Sequence, residues 1–172
     1  MLHDLFISHG SIILRPLEIC DAILLRELRN RNAHFFFTDS PISEKQQLQW
    51  YANYLCKSGE YMFAISPASD PACFWGAIGI YGVDDTTGSA ESGRVIVDRE
   101  RIGQKGIGTL AIRAAAMLAF EQLNIRKLTA RILPDNISSI RAHEKAGYSL
   151  IGTEQQSLVF EINCNKYSEV NI

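Results

Sequence analysis

The sequence has little with which to build a metal site or a disulfide frame. Its 172 residues include four cysteines, Cys20, Cys56, Cys73 and Cys164, none close to another and none in a Cys-x-x-Cys pair. Metal sites usually draw on at least one tight pair of ligands, so no metal is expected and the thiols read as free, in a reducing compartment. A basic surplus is also missing: 17 Lys and Arg stand against 19 Asp and Glu, a net charge of -2. That argues against a nucleic-acid partner and suits a neutral or basic small molecule, or a peptide amine. No apolar run is long enough to span a bilayer; the longest, Ala114 to Phe120, is flanked by Arg113 and Glu121. The start, Met1-Leu2-His3-Asp4-Leu5-Phe6, lacks the basic region and apolar stretch of a signal peptide. A cytoplasmic protein without a membrane partner is the expectation. Repeats, low-complexity tracts and linkers are absent too, so residues 1–172 read as one domain.

Hydrophobic residues make up 47% of the chain, enough for a substantial core. Ser11 to Leu17 reads as a first strand, followed by a helix over Asp21 to Arg31 with apolar residues at helical spacing. Ser43-Glu44-Lys45-Gln46 is a capping box, which predicts a second helix to about Cys56. Strands follow at Tyr61 to Ser66, Phe74 to Tyr81 and Glu91 to Val97. An Ala-rich helix is expected from Thr109 to about Leu123, a strand from Leu128 to Ile132, and a helix from Asn136 to Ala146 with Gly147 as its C-cap. Tyr148 to Ile151 and Leu158 to Ile162 close the chain as strands. This order gives an α+β fold: a mixed, mostly antiparallel sheet of about seven strands with helices on both faces.

The segment Gly103-Gln104-Lys105-Gly106-Ile107-Gly108-Thr109 joins a strand to a helix. Glycines let a backbone adopt positive φ and approach a ligand closely. Amides at a helix N-terminus, aided by the helix dipole, then suit an anion such as a pyrophosphate. The segment is not a P-loop, because no Gly-Lys-Ser/Thr triplet ends it. On its own it is equally a tight connection.

A second stretch, Asn136-Ile137-Ser138-Ser139-Ile140-Arg141-Ala142-His143-Glu144-Lys145-Ala146-Gly147-Tyr148, follows the next strand. Together the two resemble the GNAT superfamily, the GCN5-related N-acetyltransferases. That family carries Gln/Arg-x-x-Gly-x-Gly/Ala, matched here by Gly106 and Gly108, with Gly103 where Gln or Arg is usual. It later carries Asn-x-x-Ser/Ala, an aromatic, then Glu-Lys-x-Gly-Phe/Tyr, matched by Asn136, Ser139, Glu144, Lys145, Gly147 and Tyr148, with His143 where a tyrosine is common. Leu14-Arg15-Pro16-Leu17 resembles the first strand of the branch that includes ribosomal-protein N-terminal acetyltransferases.

The resemblance implies acetyl-CoA as cosubstrate and transfer of its acetyl group to a primary amine. It implies that Val95, Ile96 and Val97 flank the acetyl and pantetheine parts, that the 103–109 turn holds the pyrophosphate, and that Asn136 and Ser139 contact the cofactor. Glu91 resembles a glutamate proposed to act as base through water, and is otherwise a solvated strand-end carboxylate. His143, with an ordinary pKa near neutrality, could protonate the leaving thiolate, or be a helix-surface histidine. Tyr148 reads as core. Arg29, Asn30, His34, Phe36 and Trp50 fall where the family builds its acceptor wall. The Arg-Asn pair followed by aromatics resembles enzymes that acetylate nucleotide-linked amino sugars. Acetylation of a protein N-terminus and a non-catalytic CoA-binding regulator are the competing readings, and a homodimer is left open.

Overall fold

The computed structural model describes residues 2–33 and 40–170, with side chains through Tyr167. Among the described residues the strands are β1 (Ile7–His9), β2 (Ile12–Pro16), β3 (Tyr61–Pro67), β4 (Gly76–Asp84), β5 (Ser89–Val97), β6 (Lys127–Ile132), β7 (Ser149–Glu154) and β8 (Ser157–Asn163). The helices are α1 (Ile19–Arg31), α2 (Glu44–Leu55), α3 (Arg99–Ile102), α4 (Ile107–Glu121), α5 (Ile137–Lys145) and α6 (Cys164–Val170). One sheet carries the strands in the order β1-β2-β3-β4-β5-β6-β8-β7. Every neighbouring pair is antiparallel except β5 and β6. The mixed, mostly antiparallel α+β sheet is therefore as expected.

Alternation along the strands divides the core in two. On β3, Met62 and Ala64 face a cluster with Leu17, Leu25, Leu28, Tyr51 and Tyr54 from the α1–α2 side. Phe63 and Ile65 face the other way, into a larger cluster with Ile107, Ala111, Ile112 and Ala115 of α4. Alanines on α4 let that helix lie close to the sheet. The α1–α2 layer is pinned by polar contacts as well: Tyr51 Oη donates to the Leu17 carbonyl at 3.1 Å, and Gln47 Nε2 donates to the Ala22 carbonyl at 2.8 Å. Arg15 on β2 forks onto buried Asp21 at 2.6 and 2.8 Å, tying the strand to the first turn of α1.

The sequence expectation of seven strands is one short. β1 forms a two-residue hairpin with β2 through Gly10, whose φ of 58° marks the turn. The short helix α3 and the terminal α6 were also unforeseen, and α4 begins at Ile107, two residues before the expected Thr109. Four-residue helices and three-residue strands are too short for periodicity to reveal them. The aromatic stretch with His34, Phe35, Phe36 and Phe37 lies outside the described residues.

Candidate active site

β5 and β6 run parallel but pair only from Ser89–Lys127 to Glu91–Thr129. Beyond that point the strands part, and backbone groups of both lose their strand partner on that side. On its other side β5 stays paired with β4, but with a bulge: Ala77 faces Ile96 while Gly79 faces Gly93. The extra residue falls at Arg94, held at a φ of 55°, unusual for a non-glycine residue. The bulge and the parting open a cavity of about 400 Å³, lined from α1, α2, β3, β4, β5, β6 and α5. A broader hollow of about 490 Å³ on the outside of α2, lined by Glu44, Lys45, Leu48, Gln49 and Ala52, is open to solvent and gathers no reactive constellation.

At the far end of β5 the chain turns through α3 and the glycine segment. Gly103 ends α3 at a φ of 63°, and Gly106 starts α4 at a φ of 90°. No side chain caps this start. The amides of Ile107, Gly108 and Thr109 lie in the first turn, where no carbonyl four residues back can accept them. A Cβ on Gly103 or Gly106 would meet nothing within 4 Å, so conformation, not space, is what demands glycine there. Ile107 is a core residue and offers only its backbone. Gln104 and Lys105 are exposed in the turn.

α5 presents Asn136, Ser139 and His143 to the cavity, a spacing of three and four residues that keeps them on one face. Asn136 is the helix N-cap, its Oδ1 accepting from the Ser139 amide at 3.1 Å. Ile140 turns to another side of the helix and packs against the core. His143 is not a surface residue: it is 2% exposed and meets the edge of the Tyr148 ring at 5.1 Å. Its Nδ1 lies 2.9 Å from the Ser139 carbonyl, and burial pulls its pKa down to about 4. The ring is therefore neutral near pH 7, with its proton on Nδ1 and Nε2 bare. A neutral ring of that tautomer has no proton to give from Nε2, which runs against the proton-donor role expected of it. Tyr148 is core, as read, and its hydroxyl pairs with Ser92 Oγ at 2.9 Å.

Glu91 does not line the cavity. Tyr81, its cross-strand partner, donates to its Oε1 at 2.9 Å, and Arg131 pairs with its Oε2. Arg131 also holds Glu154 at 3.0 Å. Both Glu91 oxygens are thus engaged behind the wall that Tyr81 and Arg131 present to the cavity. Of the expected cofactor strand, Val95 and Ile96 line the cavity, while Val97 pairs with Gly76 and packs on the core.

On the acceptor side, Arg29 and Trp50 line the cavity, with Trp50 stacked on Tyr54 at 5.9 Å. Asn30 does not. Its Nδ2 donates to the Ile42 carbonyl and its Oδ1 accepts from the Ile42 amide, both at 2.9 Å, so it clamps the two ends of the intervening loop. His34 and Phe36 fall outside the described residues. Sequence reasoning missed Tyr81, Ser92, Arg94 and Arg131 in the wall. A hint of Arg94 was present: a charged residue follows Gly93 inside an apolar strand. Gly93 itself is needed, because a Cβ there would lie 2.6 Å from the Tyr81 hydroxyl.

Known proteins agree with this architecture. Residues 11–149 match the family profile described as Acetyltransferase (GNAT) domain. The chain is 29% identical over 159 residues to a probable N-acetyltransferase, YjcK, of Bacillus subtilis (strain 168), covering 86% of each. Its fold matches apo FdhC, a nucleotide-linked sugar GNAT, with a TM-score of 0.82 at 20% identity over 97% of this chain and 94% of that one. It also matches the spermidine N-acetyltransferase of Vibrio cholerae solved with CoA and spermine, with a TM-score of 0.77 at 22% identity over 92% and 98%. Parted parallel strands, a glycine-started helix and a profile match over most of its length lead to one conclusion: the chain belongs to the GNAT family and is an N-acetyltransferase that takes its acetyl group from acetyl-CoA.

Proposed function

We propose that the enzyme acetylates a primary amine of a small molecule, a nucleotide-linked amino sugar being the leading acceptor. The observation that carries this is the walled cavity between the parted strands and the α1–α2 layer. Its size suits a compact substrate, and Trp50 offers a flat surface for a sugar or base. The fold likeness to a nucleotide-linked sugar GNAT supports the same reading. The backbone amides of Gly106 to Thr109 are proposed to hold the CoA pyrophosphate, and the gap between β5 and β6 to receive the pantetheine arm.

Acetyl transfer forms a C–N bond and breaks a C–S bond. A neutral amine attacks the thioester carbonyl and gives up a proton to solvent, while the CoA sulfur departs as a thiolate and takes a proton from solvent. Unpaired backbone amides of β5 are suited to donate to the carbonyl oxygen as charge builds on it. The bare Nε2 of His143 accepts a hydrogen bond from the amine and aims its lone pair. Glu91 acts as a positioning residue, bracing Tyr81 and Arg131. A thiol's pKa near 8.5 lets the sulfur leave with solvent as the proton source. The free thiols of Cys20, Cys56 and Cys73 and the use of acetyl-CoA suit a cytoplasmic setting. A homodimer has its best support in Leu150 and Ile151, more than half exposed on edge strand β7; sedimentation of a Leu150→Lys variant tests it.

The test of function is free-thiol release from acetyl-CoA across amines: nucleotide-linked amino sugars, polyamines, aminoglycosides and peptides with free N-termini. Turnover of an amino sugar at least tenfold above the peptides in kcat/KM is expected. Turnover confined to peptides would replace the acceptor, and no thiol release with any amine would point to a regulator.

A further inference from the structure

Two buried hydroxyls meet at the foot of the fork between β5 and β6. The strands pair last at Glu91 and Thr129, and Ser92 is the next residue on β5. Successive strand residues point to opposite faces. Glu91 accordingly turns to Tyr81 and Arg131, and Ser92 turns to Tyr148, whose hydroxyl lies 2.9 Å from its Oγ. Ser92 is 1% exposed yet lines the cavity, as His143 does. Tyr148 stands behind both: its ring edge meets His143 and its hydroxyl meets Ser92.

The direction of the protons follows from what each oxygen can reach. Burial pushes the pKa of Tyr148 up, so the phenol keeps its proton. A buried donor needs an acceptor, and among the described residues Ser92 Oγ is the one within reach. Tyr148 therefore donates and Ser92 accepts. The proton of Ser92 is left with the Thr129 carbonyl at 3.5 Å. That is beyond the range of about 2.5–3.0 Å usual for a hydroxyl donor. The proton is free to turn to a better acceptor that enters the fork.

We infer that Ser92 is a catalytic residue that donates a hydrogen bond to the sulfur of acetyl-CoA as the thioester breaks, with Tyr148 as the positioning residue that orients it. This rests on the proposed seating of the pantetheine arm between β5 and β6. The C–S electron pair leaves with the sulfur. The Ser92 proton stays on Oγ, because an alcohol is a far weaker acid than a thiol, whose pKa is about 8.5. Solvent then protonates the thiolate. His143 stands where a tyrosine is common in the family, and its bare Nε2 has no proton to offer the sulfur. Ser92 fills that need. The two residues serve opposite ends of the reaction, a lone pair for the amine and a hydrogen-bond donor for the leaving group. In a fork nearly closed to water a preset donor acts more strongly than it would in solvent.

The experiment combines Ser92→Ala with Tyr148→Phe. Ser92→Ala alone leaves the phenol without an acceptor and can weaken the fold. The double variant removes both hydroxyls and leaves no orphan, so it should melt close to the parent. Its kcat in thiol-release assays is expected to fall about tenfold or more, with KM for acetyl-CoA changed less than about twofold. Tyr148→Phe alone should lose less, and adding it to Ser92→Ala should cost no further rate, because the tyrosine acts through the serine. A second readout needs no turnover. Protein saturated with CoA is titrated from about pH 6 to 10 by thiolate absorbance, against protein with desulfo-CoA to subtract its own thiols and phenols. The bound CoA thiol is expected to ionise at lower pH in the parent than in the double variant. A double variant with the parent's kcat, or with the same bound-thiol pKa, overturns the inference. Weakened CoA binding in Gly106→Val beside an unmoved thiol pKa in the double variant would keep the pyrophosphate turn and lose Ser92. Absence of thiol release with every amine would defeat the transfer reading instead, and the thiol titration would still decide on Ser92.

Discussion

Nδ1 of His143 stands 2.9 Å from the carbonyl oxygen of Ser139, one turn back along α5, and only the nitrogen can carry the proton between them. That contact favours the proton on Nδ1, and burial lowers the pKa of the ring to about 4.

The first prediction concerns pH. The pKa of His143 is lowered from 6.5 to about 4, chiefly by burial, with the Ser139 contact opposing the shift in part. Between these values the unfolded chain takes up the proton before the folded one, so stability falls as pH drops through that window. Above pH 6.5 the contribution is complete. The loss by pH 4 is on the order of 3 kcal/mol. Urea denaturation at pH 4.5 and 7 should show most of this difference in the parent and much less of it in His143→Gln. The kcat profile should carry no inflection from His143 between pH 6 and 9.

The glycine turn separates conformation from ligand approach. Gly106→Val forces a β-branched residue to a φ of 90° and should weaken CoA binding tenfold or more by calorimetry. Gly108 is different: a Cβ there meets only Val97 Cγ2, at 3.9 Å. Gly108→Ala should therefore fold as well as the parent, or about 1 kcal/mol better inside a helix. Any loss of CoA affinity in that variant reports a clash of the new methyl group with the ligand, and an unchanged affinity means that the amide of residue 108 can serve without close approach at its Cα.

Glu91→Gln tests the difference between bracing and proton transfer. Its amide oxygen can still accept from Tyr81, and Arg131 keeps Glu154 at 3.0 Å. A fall in kcat of less than about tenfold is expected, against the 100-fold or more lost with a general base. A collapse of kcat at all pH values, with KM unchanged, would return Glu91 to the role of base.

Trp50 lines the cavity and is proposed to meet the acceptor. Trp50→Ala should raise KM for the amine about tenfold or more with little effect on KM for acetyl-CoA, and Trp50→Phe should recover most of it. Equal rises in both constants, with a lowered melting temperature, would make Trp50 a packing partner of Tyr54 only.

Local signals in the sequence proved legible. The Ser43 box has both its arms, the Asn136 cap is made, and Gly106 is left-handed at the start of α4. Each depends on residues within a few positions of one another. Tyr81, Arg94 and Arg131 were hidden because their positions follow from register: Tyr81 faces Glu91 across two strands, and a bulge opposite Ala77 and Gly79 turns Arg94. The family resemblance puts Asn30 beside Arg29 on the acceptor wall, yet one helical step of about 100° carries it to a different contact. The sequence leaves His143 open between a proton donor at the cofactor and a helix-surface histidine; the contact with Tyr148 that helps bury it comes from the residue following Gly147.

The Asn30 clamp on Ile42 makes the segment between α1 and α2 a cassette. Its ends are fixed by two hydrogen bonds to one residue, independent of the sequence between them. α1 keeps its hold on the core through Leu25 and Leu28, and α2 through Tyr51 and Tyr54. Residues 33–41 can thus be exchanged for other segments of similar span while α1 through Asn32, and Ile42, stay. Such exchange offers a route by which one frame is offered different acceptors, in natural divergence or in the laboratory, without rebuilding the cleft proposed to receive acetyl-CoA.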